Sequence, residues 1–287
     1  MTGKVYLNGC IVEPEQATIS VFDRGFLYGD SIFETMRVYA NIPFALEAHL
    51  ERFYASGTLV GFDVPWDRNT LRAAIVELIN AANMPDAYLR MIGTRGSGPL
   101  GLDPRLASLP QLIILILPLP MVDPRLYRDG GSAVFVSILK NLKKTVDPRA
   151  KTGNYLGNIM AVQEAKQSGC DEAIMLDVEG RVAEASAANV FALIDGVWCT
   201  PTIDTGILSG ITRSTILEIC SANGIAYREC ELWPQDFEQA TEVFICASVR
   251  EIIPITRLDG HAVGTGAVGA STMRLRELYH SRVMVTC

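Results

Sequence analysis

Five features of the sequence could together bind a flat, anionic molecule: a lysine, a glutamate, an arginine, a serine and the start of a helix. Lys151 lies among small residues in RAKTGNYL, just before a helical pattern. Glu184 lies near the end of a predicted strand in VAEASAAN, where small neighbours leave room for a planar ring. Arg52 on a predicted helix, the helical pattern that follows SGIT (Ser209–Thr212), and Ser248 beyond the strand EVFICA complete the set.

These residue types supply the functional groups that pyridoxal 5′-phosphate requires. A lysine amine, deprotonated by burial or by a neighbouring positive charge, can form a Schiff base with the cofactor. A carboxylate keeps the pyridine nitrogen protonated, so that the ring can take up electrons as a Cα–H bond breaks. A helix N-terminus and an arginine bind phosphate, and a hydroxyl can add a donor. The combination therefore favours a pyridoxal phosphate site.

Each of these residues, taken singly, also has an ordinary structural interpretation. Lys151 follows three other lysines, and such a group is more often a solvated basic edge. Glu184 could be an edge carboxylate in a polar loop, and Arg52 could lie on the surface. Every helix has an N-terminus, so SGIT alone is weak evidence. The order in which all of them occur is what favours catalysis.

Strand and helix patterns alternate differently in two stretches, which predicts two α+β domains. Residues 1–119 predict a small domain, with a strand at Ser31–Tyr39, a helix at Leu46–Leu59 and a long loop, TRGSGPLGLDPRLASLP. Residues 120–131 (PMVDPRLYRDGG) have the composition of an interdomain linker. Residues 132–287 predict a larger domain, which carries Lys151 and Glu184.

The composition is that of a globular protein with a sizeable core: of 287 residues, 49% are hydrophobic and 20% are charged. The net charge of −7 argues against nucleic acid or an anionic membrane as a partner. No apolar run reaches the ~18 residues that span a bilayer, and the N-terminus has no apolar segment of a signal peptide. Scattered cysteines and dispersed histidines predict neither disulfides nor a metal site. We therefore expect a cytoplasmic protein.

Several motifs, spread in order over nearly the whole chain, resemble the class IV (fold-type IV) pyridoxal-phosphate aminotransferases, and within them the branched-chain aminotransferase-like group. The motifs are DRGFLYGDSIFETMRVY, HLERF, AYLR, AKTGNYL, DEAIMLDVEGRVAEASAANVF, SGITR and EVFICASVREI. The resemblance implies an α+β fold with a small α/β N-terminal domain and a larger C-terminal domain with a β-barrel-like core. It also implies pyridoxal 5′-phosphate as cofactor and a homodimer or larger homo-oligomer.

The resemblance implies a role for each matched position. Lys151 corresponds to the lysine that forms the Schiff base and moves the proton between Cα and C4′. Tyr155 corresponds to the tyrosine whose hydroxyl bonds the 3′ oxygen of the cofactor, and Glu184 to the partner of the ring nitrogen. The phosphate ligands correspond to Arg52, Ile211, Thr212 and Ser248. The family usually has threonine at the last of these positions, and serine keeps the hydroxyl.

A second set of residues is expected to line the substrate pocket. Residues two apart in a strand share a face, so Phe33, Thr35 and Arg37 point one way, as do Tyr88 and Arg90. The family match places Tyr28, Phe33, Arg37, Tyr88 and Arg90 at pocket positions. There, Arg90 could bind a carboxylate with two parallel hydrogen bonds. Both arginines could instead be salt-bridged surface residues.

The sequence predicts amino transfer from a branched-chain or other hydrophobic L-amino acid to 2-oxoglutarate. D-Amino acid aminotransferases typically have tyrosine at the position of Phe33, lysine at that of Arg37, and an Arg-x-His loop, where this chain reads Arg95-Gly96-Ser97. Thr35 in place of the usual glycine, and the unusual loop SGPLGLDP, keep a D-amino acid or (R)-amine transaminase as alternatives. An aminodeoxychorismate lyase on the same fold, and a cofactor-binding protein without catalysis, are further alternatives.

Overall fold

The computed structural model describes residues 2–142 and 144–287, which divide into two compact units. The first takes in the chain up to Pro120, Ala150–Asn154 and Thr286–Cys287, and the second takes in Met121–Arg149 and Tyr155–Val285. Lys151, expected in the larger domain, thus belongs to the first unit. None of the helices in the described ranges is long and apolar enough to cross a membrane.

The first unit is built on an antiparallel sheet of six strands. Its elements are β1 (Lys4–Leu7), β2 (Cys10–Val12), α1 (Arg24–Tyr28), β3 (Ser31–Tyr39), β4 (Ile42–Pro43), α2 (Leu46–Leu59), α3 (Arg68–Ala82), β5 (Ala87–Thr94) and β6 (Gln111–Leu117). The strand order is β2-β1-β6-β5-β3-β4, and every neighbouring pair is antiparallel.

The alternation of side chains along β3 decides which residues face the core and which face the opposite side of the sheet. Ile32, Met36 and Val38 are fully buried, in one cluster with Leu50 of α2 and Leu71 of α3. The intervening, odd-numbered residues point to the other face. On β3, that face, away from α2 and α3, carries Phe33 and Arg37, two of the residues expected to line the substrate pocket.

The second unit is built on a mixed sheet of nine strands that is curled into a half-barrel. Its elements are α4 (Pro124–Arg128), β7 (Gly131–Phe135), α5 (Leu156–Gln167), β8 (Glu172–Leu176), β9 (Val182–Ala185), β10 (Asn189–Ile194), β11 (Val197–Pro201), α6 (Ile211–Ala222), β12 (Tyr227–Cys230), β13 (Glu242–Ala247), β14 (Glu251–Leu258), β15 (His261–Ala262) and α7 (Ala270–Thr286). The strand order is β12-β11-β10-β13-β14-β7-β8-β9, with β15 beside β14.

Parallel pairs join β7 to both β14 and β8, and β12 to β11, while the other neighbours in this sheet are antiparallel. Small and β-branched residues dominate its core, among them Ala133, Val182, Ala185 and Val190. Small side chains allow strands and helices to approach closely. The mixture of strands and helices confirms the predicted α+β class.

The stretch 120–131, predicted as a linker, contains the short helix α4. Asp123 caps this helix, because its side chain accepts a hydrogen bond from the N–H of Arg125. Pro124 occupies the first helical position, where a missing N–H costs nothing. The two prolines that suggested an irregular linker therefore include one that begins a helix.

Candidate active site

Lys151 lies in a short extended segment that pairs with the beginning of β3. The N–H of Phe33 donates to the carbonyl O of Lys151 at 2.9 Å, and the N–H of Gly153 donates to that of Ser31 at 2.9 Å. The N–H of Lys151 donates to Ser56 Oγ on α2 at 3.0 Å. A Cβ at Gly153 would lie 2.4 Å from Ser31 Oγ. The lack of a side chain at Gly153 therefore allows the segment to lie against β3.

The side chain of Lys151 contacts an aromatic ring of the same unit. Its Nζ lies 4.5 Å from the ring centroid of Phe33, and the guanidinium carbon of Arg90 lies 3.9 Å from the same centroid. Cations are attracted to an aromatic face, so Phe33 holds both groups. The Nε of Arg90 is buried and has no hydrogen-bond acceptor within the described part of the chain. An acceptor on a bound molecule would satisfy this donor.

One face of the six-stranded sheet carries four of the residues predicted to line the substrate pocket: Phe33, Arg37, Tyr88 and Arg90. In the antiparallel register of β3 and β5, Thr35 lies opposite Arg90, and Arg37 lies opposite Tyr88. Phe33 lies on the same face, two residues before Thr35. The strand register therefore places these side chains on one face, as strand alternation predicts. The contact of these side chains with a substrate stays a prediction.

Tyr28, also predicted to line the pocket, supports the long loop between β5 and β6. Its hydroxyl accepts a hydrogen bond from the N–H of Gly101 at 3.3 Å. Arg24 of the same short helix donates to the carbonyl O of Gly101 at 2.8 Å and to that of Leu102 at 3.3 Å. The Nε of Arg24 is itself held by Asp30 at 2.9 Å. The loop is thus fastened to α1 near its middle.

Arg52, predicted as a phosphate ligand, forms a bidentate ion pair with Glu34. Arg52 Nε and Nη2 donate to the two carboxylate oxygens of Glu34, each at 2.7 Å. His49 Nδ1 lies 2.7 Å from Glu34 Oε2. Glu34 is fully buried on the core face of β3, and His49 and Arg52 lie three residues apart on α2. The ion pair fixes the direction in which the guanidinium points.

The charges in this cluster shift the pKa values of its members. Burial alone would raise the pKa of Glu34, but the charge and hydrogen bonds of Arg52, with a hydrogen bond from His49, lower it to about 2. Burial lowers the pKa of His49; Arg52 and Lys151 lower it further, and Glu34 opposes them. His49 is therefore neutral at physiological pH, and its Nδ1–H donates to the Glu34 carboxylate.

Glu184, predicted as the partner of a ring nitrogen, is buried on β9 and held by three groups. Lys140 Nζ lies 2.8 Å from its Oε1. Its Oε2 accepts hydrogen bonds from the N–H of Leu208 at 3.1 Å and from Asn189 Nδ2 at 3.2 Å. An ionised carboxylate has about four acceptor sites. Glu184 is therefore fixed in orientation and still has an acceptor site on Oε1.

The N-terminus of α6 contains Ile211 and Thr212, two of the predicted phosphate ligands. Gly210 is its N-cap residue, and no side chain caps the helix there. A Cβ at Gly210 would lie 1.8 Å from Asn189 Oδ1, so only glycine fits beside that amide. An uncapped helix N-terminus offers N–H groups and a partial positive charge to an anion.

Tyr155 and Ser248 lie at the ends of other elements of the second unit. Tyr155 is the N-cap residue of α5 and is half-buried. Ser248 lies in the turn between β13 and β14, just after the strand that the sequence predicts. Both positions agree with the sequence patterns. The cofactor contacts assigned to them stay predictions.

The predicted site residues divide between the two units. Those in the first unit are Tyr28, Phe33, Arg37, Arg52, Tyr88, Arg90 and Lys151, and those in the second are Tyr155, Glu184, Ile211, Thr212 and Ser248. Sequence analysis missed Glu34 and His49, although a glutamate on the apolar face of a strand is a usable signal. It also missed Lys140, whose ion pair has no local sequence signature.

The family model for class IV aminotransferases matches residues 31–258 of this chain. Named relatives cover nearly all of it. A putative branched-chain-amino-acid aminotransferase from Methanocaldococcus jannaschii is 37% identical over 276 residues, which span 96% of this chain and 95% of the relative. A D-alanine aminotransferase from Listeria innocua is 34% identical over 293 residues, which span 99% of this chain and 97% of the relative.

A solved structure has the same fold over the whole chain. It is the branched-chain amino acid aminotransferase of Thermobaculum terrenum in its PLP-form, which is 27% identical in sequence. The superposition has a TM-score of 0.88 and covers 100% of this chain and 95% of the other.

Proposed function

The chain belongs to the class IV aminotransferases, of fold-type IV, and from this membership we propose that it transfers the amino group of a branched-chain or other hydrophobic L-amino acid to 2-oxoglutarate. The family carries out transamination with pyridoxal phosphate. The observation that supports the residue roles most directly is the position of Lys151. Its amine lies on Phe33, and Phe33 also holds Arg90, whose buried Nε lacks an acceptor in the described chain.

The residues present fit pyridoxal phosphate in the chemistry that they offer. Glu184 is a buried carboxylate with an acceptor site left on Oε1, which suits a protonated ring nitrogen. The uncapped start of α6, with Ile211 and Thr212, suits a phosphate group. When bound, the cofactor supplies a ring that accepts the electron pair left as the substrate Cα–H bond breaks.

The chain's own groups would then position the reactants and move one proton. We assign to the Lys151 amine the removal of the proton from the substrate Cα and its delivery to C4′ of the cofactor. The Tyr155 hydroxyl would hold the 3′ oxygen, and Glu184 would hold the ring nitrogen. Arg52, kept in place by Glu34, would join Ser248 and the start of α6 at the phosphate.

Substrate recognition is proposed for the face of β3 and β5 that points away from α2 and α3. Arg90 would bind a substrate carboxylate through its unsatisfied Nε and neighbouring N–H groups. Tyr28, Phe33, Arg37 and Tyr88 would form the rest of the wall. Thr35, opposite Arg90, narrows this wall or adds a hydrogen bond, and such a change alters selectivity by only ~1–3 kcal/mol.

A D-amino acid transaminase is the second candidate, because the Listeria innocua D-alanine aminotransferase is nearly as similar as the branched-chain relative. Phe33 and Arg37, where D-amino acid enzymes typically have tyrosine and lysine, favour the L-amino acid. The two candidates share every proposed cofactor contact. They differ only in how the substrate carboxylate and side chain are placed.

A homo-oligomer in the cytoplasm is also proposed. Large apolar side chains are exposed on the first unit at Phe26 (67%), Leu100 (70%) and Leu102 (80%). Arg24 donates to the carbonyl O of Gly101 and of Leu102, so the loop that carries Leu100 and Leu102 is fastened to the helix that carries Phe26. Exposed apolar clusters of this kind mark interfaces between proteins. A second copy of the chain would cover this one.

Transfer of ¹⁵N between amino acids tests the proposed reaction. The protein loaded with pyridoxal phosphate is incubated with ¹⁵N-labelled L-leucine and 2-oxoglutarate, and the resulting glutamate is separated on a chiral column. We expect labelled L-glutamate. Labelled glutamate that forms from D-alanine and not from L-leucine would reject the L-amino acid assignment. Pyruvate released from aminodeoxychorismate without an acceptor would point to the lyase.

A further inference from the structure

A buried polar network in the second unit connects three segments that carry proposed cofactor contacts. At its centre is Glu172, the first residue of β8, whose side chain is only 5% exposed. A buried carboxylate is costly unless it is paired and hydrogen-bonded. Glu172 is not among the proposed catalytic or cofactor-binding residues, so we infer its role from its hydrogen-bond and ion-pair partners.

Both oxygens of the Glu172 carboxylate are engaged. Ser186 Oγ donates to Oε1, which also accepts from the N–H of Ala173 at 3.1 Å. Arg250 Nη1 donates to Oε2 at 2.8 Å. The side chain of Glu172 therefore joins two loops, one after β9 and one after β13. Loss of either partner would leave a buried charge short of a hydrogen bond.

Ser186 connects the network to Glu184 and to α5. It follows Glu184 by two residues, and its N–H donates to the carbonyl O of Ala173 at 3.0 Å. Its own carbonyl O accepts from Asn158 Nδ2 at 2.6 Å. Asn158 lies three residues after Tyr155. The segment beyond Glu184 and the first turn of α5 are thus fixed to each other through Ser186.

Arg250 connects the network to the turn that carries Ser248. Residues 248–250 link β13 to β14, and the pair Ala247–Glu251 closes the turn. Glu251, the residue directly after the turn, has a φ of +55°, in the left-handed region that favours glycine. The carbonyl O of Arg250 accepts from the hydroxyl of Tyr127 at 3.1 Å. Side chains outside the turn therefore hold it in a conformation that its sequence does not favour.

We propose that Glu172 and Arg250 are positioning residues for the cofactor, an inference that rests on the proposed function. Glu172 holds the Arg250 guanidinium, and Arg250 holds the turn in which Ser248 presents its hydroxyl to the phosphate. The same carboxylate holds Ser186 and, with it, the segment after Glu184. Neither Glu172 nor Arg250 touches a reacting atom, since they act through Ser248 and Glu184.

Two ligands that differ only in the phosphate separate this role from general stabilisation. The apoprotein is titrated with pyridoxal 5′-phosphate and, separately, with pyridoxal, and the absorption change gives each Kd. Arg250→Met should raise the Kd for pyridoxal phosphate by about tenfold, the order expected for one lost charged hydrogen bond. It should leave the Kd for pyridoxal within about twofold. Arg250→Lys, which keeps the charge, should recover part of the loss.

Glu172→Gln should weaken the binding of both ligands, because Glu172 holds Ser186 as well as Arg250. In the double variant, the Kd for pyridoxal phosphate should be no higher than in Glu172→Gln alone, since both changes break one connection. Arg282→Met is the matched control. Arg282 pairs with Glu218 at 3.0 Å on an exposed surface, and its removal should leave both Kd values unchanged.

The outcomes separate failure of the network from failure of the proposed function. If wild-type protein binds pyridoxal phosphate and Arg250→Met binds it with the same Kd, the positioning role of Glu172 and Arg250 is wrong, and the proposed function is unaffected. The positioning role is also wrong if Arg250→Met raises the Kd for pyridoxal and the Kd for pyridoxal phosphate by the same factor. A wild type that binds neither ligand overturns the proposed function as well. Circular dichroism checks folding, and Arg250→Lys with Glu172→Gln decides the matter if Arg250→Met does not fold.

Discussion

At the scale of residues, three buried carboxylates are each paired with a cation. Glu34 pairs with Arg52, Glu184 with Lys140, and Glu172 with Arg250. Removing one partner of a buried pair leaves an uncompensated charge, which is far more costly than breaking a surface pair. The pairs therefore fix side-chain direction at the positions that the proposed cofactor needs.

The Glu34 cluster predicts how stability depends on pH. Folding lowers the pKa of Glu34 from 4.5 to about 2, so the folded protein binds this proton less readily than the unfolded chain. The resulting stability, up to about 3 kcal/mol, is complete above pH 4.5 and is lost as the pH falls toward 2. His49, with a pKa lowered from 6.5 chiefly by burial, acts in the same direction and begins to do so below pH 6.5.

Thermal denaturation of Glu34→Gln between about pH 7 and pH 3 checks the predicted contribution of Glu34 to the pH dependence of stability. Glutamine keeps the shape of the side chain and does not titrate. We expect the variant to be less stable at neutral pH and to lose less of its remaining stability below about pH 5. Glu47→Gln, which removes an exposed carboxylate paired with Arg72, is the control and should change stability little. Wild-type and Glu34→Gln curves that stay parallel would contradict the role of Glu34.

At the scale of elements, the sequence predicts those strands and helices whose apolar residues recur with a clear period. The strand Ser31–Tyr39 and the helix Leu46–Leu59 have the predicted bounds, because alternation and helical spacing are unambiguous there. No pattern predicts β12, which is mostly exposed, and Pro254 argues against β14. These strands form because their neighbours in the sheet pair with them. Their existence depends on tertiary structure.

The candidate site follows the same division. Lys151 and Glu184 could be found because motif and spacing mark them, and the shared face of Phe33 and Arg90 follows from strand alternation. The ion pairs of Lys140 and Glu172 could not be predicted from the sequence, since each joins positions far apart in the chain. A residue whose role depends on a distant partner has no signal in its own neighbourhood.

The close packing at the start of α6 lets us predict the effect of adding one methyl group at Gly210. In Gly210→Ala the new Cβ would lie 1.8 Å from Asn189 Oδ1, and Asn189 also donates to Glu184. We expect a lower melting temperature and at least about tenfold weaker binding of pyridoxal phosphate, because the helix start must move. Titration of the apoprotein and thermal denaturation measure both.

Gly157→Ala is the matched control for this variant. Gly157 lies on α5, and a Cβ there meets no atom within 4 Å. Alanine should therefore leave cofactor affinity unchanged and, through helix propensity, raise stability by up to about 1 kcal/mol. Unchanged cofactor affinity in Gly210→Ala would show that the α6 N-terminus does not bind the phosphate.

At the scale of the whole molecule, the proposed residues come from both compact units, and the first unit carries an exposed apolar cluster. Phe26, Leu100 and Leu102 project large apolar side chains into solvent in the single chain. Burial of apolar surface stabilises association by roughly 25 cal/mol per Å². We therefore expect a mass in solution of about twice the 31.3 kDa of the chain, or more.

Light scattering after size exclusion measures that mass. Phe26→Asp should shift the protein toward the monomer, because a charge in an apolar interface is desolvated without a partner. Val76→Asp is the control, since Val76 is exposed (50%) on α3 of the same unit, outside this cluster. A wild-type monomer, or a Phe26→Asp variant that keeps the wild-type mass, would contradict the proposed interface.

The absorption spectrum of protein loaded with pyridoxal phosphate tests most directly whether the Lys151 amine carries the chemistry. The wild type should show the band of a cofactor bound to lysine, lose it on addition of L-leucine, and regain it with 2-oxoglutarate. Lys151→Ala should bind the cofactor, show the spectrum of the free aldehyde, and give no catalytic amino transfer. A Lys151→Ala variant that keeps the lysine-bound spectrum and the reversible response to L-leucine would show that Lys151 is not the reacting amine.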